Sequence, residues 1–284
     1  MKVLITGSHG FVGTNLLRVF EGRYEMIRWD IRSNEPLPDV DAVIHLAGKA
    51  HDTKNLTQAD VYFQVNTELT KKIYKQYLQS SARRFIFFSS IKAQDADTPY
   101  AKSKLAAEQY LEERMHSQSP AQHTYILRPC LIYGPGNKAN LKLLYQLVRK
   151  GLPWPLAAFD NRRSFVAVDN MAYVVGELLH REVADGIYPV CDDESISTNE
   201  LVSIICQCLH QPCRLWHVPQ GMIRVMARVG DVLHLPLNSE RLRKLTEDYV
   251  VDNTKTKQAL NISRMPVGVK DGLVSAINHM IESK

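Results

Sequence analysis

MKVLITGSHGFVGTNLLRVF, residues 1–20, is the stretch on which the architecture turns. Val3 to Thr6 is a short apolar run of strand length, followed at once by Gly7, Gly10 and Gly13. Beyond it Phe11, Leu16, Leu17 and Phe20 recur near helical spacing, so the segment reads as strand, glycine turn and helix. Glycines at such a junction allow a tight turn and a close approach of backbone to a diphosphate, whose charge the helix N-terminus attracts. Gly7, Gly10, Phe11, Val12 and Gly13 are accordingly predicted to hold the pyrophosphate of a dinucleotide.

Working outward, YEMIRWDI reads as a second strand ending at Asp30, and DAVIHLAG as another ending at Gly48. VNTELTKKIYKQYLQ is predicted as an amphipathic helix, RRFIFFSS as a buried strand, YAKSKLAAEQYLEERM as a strong helix and TYILRPCLIYG as a further strand. Strands alternating with helices predict an α/β fold, a Rossmann-type doubly wound parallel sheet covered on both faces. Past GPG at 134–136 the elements shorten between Pro and polar turns. Residues 1–133 plus about 164–190 are therefore expected to form the dinucleotide-binding domain, and about 134–163 and 191–284 a smaller substrate-binding portion. Ser197-Thr198-Asn199-Glu200 before LVSIICQCL has the form of a capping box at a helix start.

The 284 residues suffice for one large domain or a main domain with a smaller one. Lys and Arg total 35 against 30 acids, a formal charge of +5, with the basic residues scattered. That balance suits an anionic small-molecule ligand and offers no nucleic-acid-binding block. No run reaches the roughly eighteen apolar residues of a membrane span, and MKVLITG lacks the build of a signal peptide. A cytoplasmic chain with no membrane and no nucleic-acid partner is expected. Cys130, Cys191, Cys206, Cys208 and Cys213 show no metal-ligand spacing, so reduced structural thiols and no metal are expected.

Two polar sets carry the chemistry. Asp30, at the end of the second strand and 17 residues after Gly13, is placed to hydrogen-bond the adenosine ribose, which favours NAD. Arg32 could instead pair with a 2′-phosphate, so NADP stays open. Tyr100 and Lys104 are four apart and emerge on one helix face, with Ser90 at the end of the preceding strand. A nearby ammonium stabilises a phenolate, so Lys104 is expected to lower the Tyr100 pKa.

TGSHGFVG at 6–13, DAVIHLAG at 41–48, SS at 89–90, YAKSK at 100–104, LRPCLIYGPG at 127–136 and RRSFVAVDN at 162–170 occur in order across most of the chain. This set resembles the extended short-chain dehydrogenase/reductases, specifically the NAD-dependent epimerase/dehydratase family that acts on nucleotide sugars. GPGNKANLKLLYQLVRKGLPWPL followed by NRRSFVAVDN is similar to bacterial UDP-N-acetylhexosamine 4-epimerases and UDP-4-keto-6-deoxy-hexosamine 4-reductases. The resemblance implies Tyr100 as acid/base, Lys104 on the nicotinamide ribose and Ser90 orienting the sugar oxygen. It further implies Leu46, Ala47, Gly48, Tyr100 and Lys104 at the NAD site, and Arg163, Asn140 and Lys92 toward the substrate. Asn66, Lys49 and His51 fall near the site floor and read as structural. A homodimer through the YxxxK helix would draw on Leu105, Tyr110 and Leu111.

Two departures from that pattern matter. Only ten residues separate Ser90 from Tyr100, which implies a trimmed loop over the site. Only 14 residues, Ile31 to Ile44, lie between Asp30 and His45, so the usual third strand is expected to be reduced or absent, leaving about six strands. Ile91-Lys92 stands where dehydratases carry an acidic pair, which argues against dehydration. The expected function is hydride transfer at C4 of a UDP-sugar, by a 4-ketoreductase or 4-epimerase, with a slight tilt toward the reductase from the short loop. The alternative is a non-catalytic dinucleotide sensor or scaffold, and the discriminating feature is whether Ser90 still meets Tyr100.

Overall fold

The computed structural model describes residues 1–33, 35–49, 58–137, 140–233 and 238–282. The strands in chain order are β1 (Lys2–Thr6), β2 (Glu25–Trp29), β3 (Ala42–His45), β4 (Arg84–Phe88), β5 (His123–Pro129), β6 (Leu131–Tyr133), β7 (Arg163–Ala167), β8 (Gly186–Val190) and β9 (Ser195–Ile196). The helices are α1 (Phe11–Phe20), α2 (Ala59–Tyr62), α3 (Leu69–Leu78), α4 (Pro99–Met115), α5 (Asn140–Arg149), α6 (Val168–His180), α7 (Thr198–Cys208), α8 (Gln220–Leu233), α9 (Ser239–Thr246), α10 (Thr254–Leu260) and α11 (Val269–Glu282). A π-helical stretch, Phe63–Glu68, joins α2 to α3.

Two compact units emerge: Met1–Ile132 with Val168–Cys191 and Asp252–Pro266, and Tyr133–Ala167 with Asp192–Val251 and Val267–Lys284. Asp252–Pro266 groups with the first unit, although the sequence reading had put all of 191–284 in the second. The reason is local: α10 packs on β8 and α6, and Asn253 Nδ2 donates to Cys191 O at 2.9 Å.

The first unit is built on a six-stranded sheet ordered β2-β1-β3-β4-β5-β8, with every pairing parallel. Leu4, Val43, Phe85, Phe87 and Ile126 turn to one face, where α3 and α4 supply Ile73, Tyr74, Tyr77, Ala107 and Leu111. The alternate residues Val3, Ile5, Ile44, Ile86 and Leu127 are just as buried, which is the apolar-on-both-faces pattern of a covered parallel sheet. Leu111 is therefore spent in the chain's own core rather than on a dimer seam; Leu105 and Tyr110 remain half-buried.

Among the described residues no strand lies outside β2, so the third strand of the usual doubly wound order is absent there. Residues of the 31–41 connection replace it as a strap. Ile31 and Val40 bury into the core beside α3, while Lys72 Nζ donates to Ser33 O at 2.7 Å and Gln76 Nε2 to Glu35 O at 3.3 Å. The strap thereby seals apolar core surface beside α3.

In the second unit β7 and β9 pair antiparallel, and Tyr145, Trp154, Leu201, Ile205 and Leu273 belong to its separate core. The expected capping box opens α7: Glu200 N donates to Ser197 Oγ at 3.0 Å, and Ser197 N to Glu200 Oε2 at 2.8 Å.

Candidate functional site

The glycine turn is built by contact rather than by flexibility alone. Gly7 sits at φ +68°, and a Cβ there would lie 2.7 Å from Ala47 N, so β1 and β3 can end side by side only with hydrogen at this position. A Cβ at Gly13 would lie 2.8 Å from Ser8 Cα, against the turn itself. Gly10 caps α1 with no side chain, and the first helical turn holds no acid. The leading amides of Phe11, Val12 and Gly13 have no helical acceptor and face outward with the positive end of the helix dipole, a site whose chemistry fits a diphosphate.

A chain of buried hydrogen bonds ties this turn to the π-helical stretch. Thr70 donates to Asn66 O at 2.7 Å, so His45 Nε2–H must donate to Thr70 Oγ1, 2.9 Å away. His45 Nδ1 then accepts from Thr6 at 2.8 Å, and Thr6 Oγ1 accepts from Ala47 N at 3.1 Å. Burial, with the charge of Lys104 adding to it, pulls the His45 pKa down to about 3, so the imidazole stays neutral. His45 stood in the HLAG stretch, but nothing in sequence distinguished a bridging histidine from a core one.

Asn66 is fully engaged. Its Oδ1 accepts from Lys49 N at 2.7 Å, and its Nδ2 donates to Lys49 O at 3.2 Å and to Ser103 Oγ at 3.0 Å. It thereby clamps the end of the HLAGK segment to α4. His51 lies outside the described residues.

The short loop solves its geometry with three devices. Ser90 Oγ accepts from Lys92 N at 3.3 Å and caps a single 3₁₀ turn, Ile91–Gln94. Ala96 then takes φ +47°, a left-handed conformation that reverses the chain. Thr98 Oγ1 accepts from Ala101 N at 3.2 Å, and Pro99 starts α4. With the chain turned in so few residues, the Ser90 hydroxyl comes near enough to that of Tyr100 to favour its phenolate.

Burial pushes the Tyr100 pKa above its ordinary value; the nearby Ser90 hydroxyl opposes this and Tyr62 adds to it. The expected lowering by Lys104 is not found: desolvation is the largest cause of the shift and Lys104 is not among the groups that produce it. Lys104 is itself buried, its Nζ donating to Phe88 O at 2.8 Å over the Phe87 ring. A Cβ on Gly48 would lie 3.3 Å from that Nζ, so the end of the β3 segment and Lys104 share one spot. Burial pulls the Lys104 pKa down to about 8, with Glu108 acting against the fall.

A depressed lysine contributes stability that is fully present above its unfolded value near 10.5 and lost as pH falls through about 8. Urea unfolding is expected to show the chain gaining up to about 3 kcal/mol from this group between those limits. Lys104→Met should lack that rise, and an identical pH slope in the variant would exclude Lys104 as its source.

Beneath Lys104 lies a network that sequence reading missed. Glu108, fully buried, receives Ser89 Oγ and a two-pronged contact from Arg128, with Nε at 3.0 Å and Nη2 at 2.5 Å. Glu108 is one helical turn past Lys104, a spacing that could have flagged it; Arg128, on β5, could be found only through the fold.

Asp30 and Arg32 pair with each other. Arg32 Nε lies 3.0 Å from Asp30 Oδ1 and Nη2 lies 2.8 Å from Oδ2, and the contact lowers the Asp30 pKa to about 2. Both side chains are exposed, so the pair is a weak surface contact that occupies Arg32 in this structure. Lys92 adds its backbone amide to the Ser90 turn. Leu46 and Ala47 follow β3, with Ala47 N held by Thr6.

Arg163 and Asn140 belong to the second unit. Arg163 opens β7 and its Nη1 donates to Lys244 O, while its Nε is buried without a partner among the described residues. Asp169, in the same RRSFVAVDN stretch, pairs with Arg18 at 3.7 Å. Asn140 begins α5, and its side chain lies outside the described residues. No cluster of metal-ligating side chains occurs among the described residues.

Residues 35–191 match the model of the NAD dependent epimerase/dehydratase family. The chain is 30% identical over 301 residues to a UDP-glucose 4-epimerase of Vibrio cholerae, covering 91% of this chain and 89% of the relative. It is 24% identical to the N-acetyl-alpha-D-glucosaminyl-diphospho-ditrans,octacis-undecaprenol 4-epimerase of Escherichia coli O157:H7, covering 89% and 88%. The fold matches a UDP-glucuronic acid 4-epimerase from Bacillus cereus, solved in complex with NAD, with a TM-score of 0.75 at 17% identity over 99% of both chains.

Proposed function

The chain belongs to the NAD dependent epimerase/dehydratase family, and from that premise we propose that it is an NAD-dependent enzyme transferring hydride at C4 of a UDP-linked sugar. The observation that carries the reading is that Ser90 is brought beside Tyr100, close enough to favour its phenolate, with Tyr100 and Lys104 on one helix. A sensor has no use for that set, and its convergence favours the enzyme. NAD, when bound, supplies the hydride acceptor and donor.

Each residue then has a task. Phe11, Val12 and Gly13 hold the dinucleotide diphosphate by their amides. Asp30 meets the ribose hydroxyls, and its carboxylate favours NAD over NADP. Ser90 orients the sugar O4, and Tyr100 takes and returns the O4 proton as general acid/base. Lys104 lends positive charge as the phenolate forms. Arg163, with its unsatisfied Nε, and Asn140 are the proposed contacts of the sugar diphosphate.

The tilt toward reductase rested on the short loop. Since that loop keeps Ser90 on Tyr100, and two relatives aligned over most of their length are 4-epimerases, the epimerase is the better reading. C4 chemistry does not depend on what lies beyond the diphosphate, and the Escherichia coli relative is named for a sugar on a polyprenyl carrier.

The test mixes purified protein and NAD with UDP-glucose or UDP-N-acetylglucosamine, and in parallel NADH or NADPH with a UDP-4-keto-6-deoxy-hexosamine. Interconversion of 4-epimers, followed by proton NMR without net cofactor consumption, is the expected result. Net oxidation of NADH or NADPH with the keto sugar alone would replace epimerase by reductase. Dinucleotide binding without turnover of either would return the sensor.

A further inference from the structure

Helix α8 presents two apolar faces where a surface helix needs one. Ile223, Ala227 and Gly230 are buried and seat the helix on its own unit. Met222, Val225, Met226, Val229, Val232 and Leu233 recur at i, i+3, i+4, i+7, i+10 and i+11, so they form a separate stripe along the helix. All six lie in solvent, between 48 and 76% exposed. Monomeric soluble proteins rarely leave contiguous apolar patches beyond a few hundred Å², so a stripe of six such side chains calls for a covering surface.

Charge indicates what covers it. Arg224 and Arg228 stand four apart on the remaining side of α8, both exposed, and neither forms an ion pair among the described residues. From Pro212 to Lys244 the chain carries six basic residues against two acids, Asp231 and Glu240. Trp216, shortly before the helix, is also exposed, a residue type that favours the headgroup region of a bilayer. An amphipathic helix with an apolar stripe, a basic flank and a nearby tryptophan has the build of one that lies in a membrane interface.

A second copy of the chain fits less well. A 14-residue helix is about 21 Å long, and one face of it falls short of the roughly 800 Å² per partner that stable protein interfaces bury. No helix among the described residues is long and apolar enough to cross a membrane, and a helix lying on the surface does not need to be.

We propose that the exposed face of α8 docks on an anionic lipid bilayer. This departs from the expectation of no membrane partner, which was drawn from the lack of a spanning segment. It stands independently of the C4 chemistry, since none of these residues has been given a part in it.

The experiment sediments the full chain with vesicles of phosphatidylglycerol and phosphatidylethanolamine, and with vesicles of phosphatidylcholine alone. The chain is expected to partition onto the anionic vesicles, more weakly at high salt. Met226→Glu combined with Val229→Glu should lower that partitioning by about 100-fold, because two charges enter the apolar contact. Circular dichroism and retained NAD binding confirm that the variant is folded, and Arg224→Gln with Arg228→Gln provides a second variant that keeps the stripe and should weaken only the anionic preference. Absence of binding to anionic vesicles, or equal binding by the glutamate variant, would overturn the proposal. So would a dimer in light scattering that the glutamate variant turns into monomer while neither form binds vesicles, which would give the face to a second copy.

Discussion

Tyr100→Phe is expected to lower kcat by roughly 10²- to 10⁴-fold, the usual contribution of a positioned general acid/base, while NAD affinity stays as it was. The substitution removes the hydroxyl beside Ser90 and keeps the ring, which packs edge-on against Tyr62 at 6.0 Å between centroids. The loss should therefore be in chemistry rather than in packing, visible as a fall in kcat with little change in the unfolding midpoint. Ser90→Ala should follow in the same direction by less, since it orients an oxygen without moving the proton. A Tyr100→Phe enzyme that turns over at the wild-type rate would remove Tyr100 from its role.

Glu108→Ala should be the most destabilising single substitution near the site, by about 3–5 kcal/mol in urea unfolding, because it leaves the half-buried Arg128 without its counter-charge. Ser89 loses its acceptor at the same time. The effect is one of an orphaned ion and not of the pair's own strength, so joint replacement with Glu108→Leu and Arg128→Met should recover much of the loss. If the single variant were as stable as the wild type, the network would be an exposed surface pair in solution. Removing Glu108 also takes away the charge that opposes the fall of the Lys104 pKa, so the variant's lysine should titrate lower still.

Elements with a local cause were legible from the residues. The apolar run of β1, the glycines after it and the helical spacing of α1 are set within twenty residues, and so is the Tyr100–Lys104 face of α4. The missing strand was legible too, because 14 residues cannot hold a helix and a strand between Asp30 and His45. The Glu108–Arg128 pair was not, since its members are 20 positions apart on a helix and a strand that meet only when the sheet forms. The clamp from Asn66 to Lys49 and Ser103 was hidden for the same reason.

The sequence by itself determined a parallel α/β sheet, a diphosphate-binding turn and a tyrosine and lysine on one helical face. Periodicity, glycine placement and spacing act over a few residues and need no partner to be read. Only the tertiary structure decided that the ten-residue loop, reversed at Ala96, delivers Ser90 to Tyr100, that burial raises the tyrosine and lowers the lysine, and that Asp30 answers Arg32. It also decided that one apolar face of α8 is buried and the other left in water. Desolvation and pairing depend on which neighbours surround a group, and those neighbours arrive from distant parts of the chain.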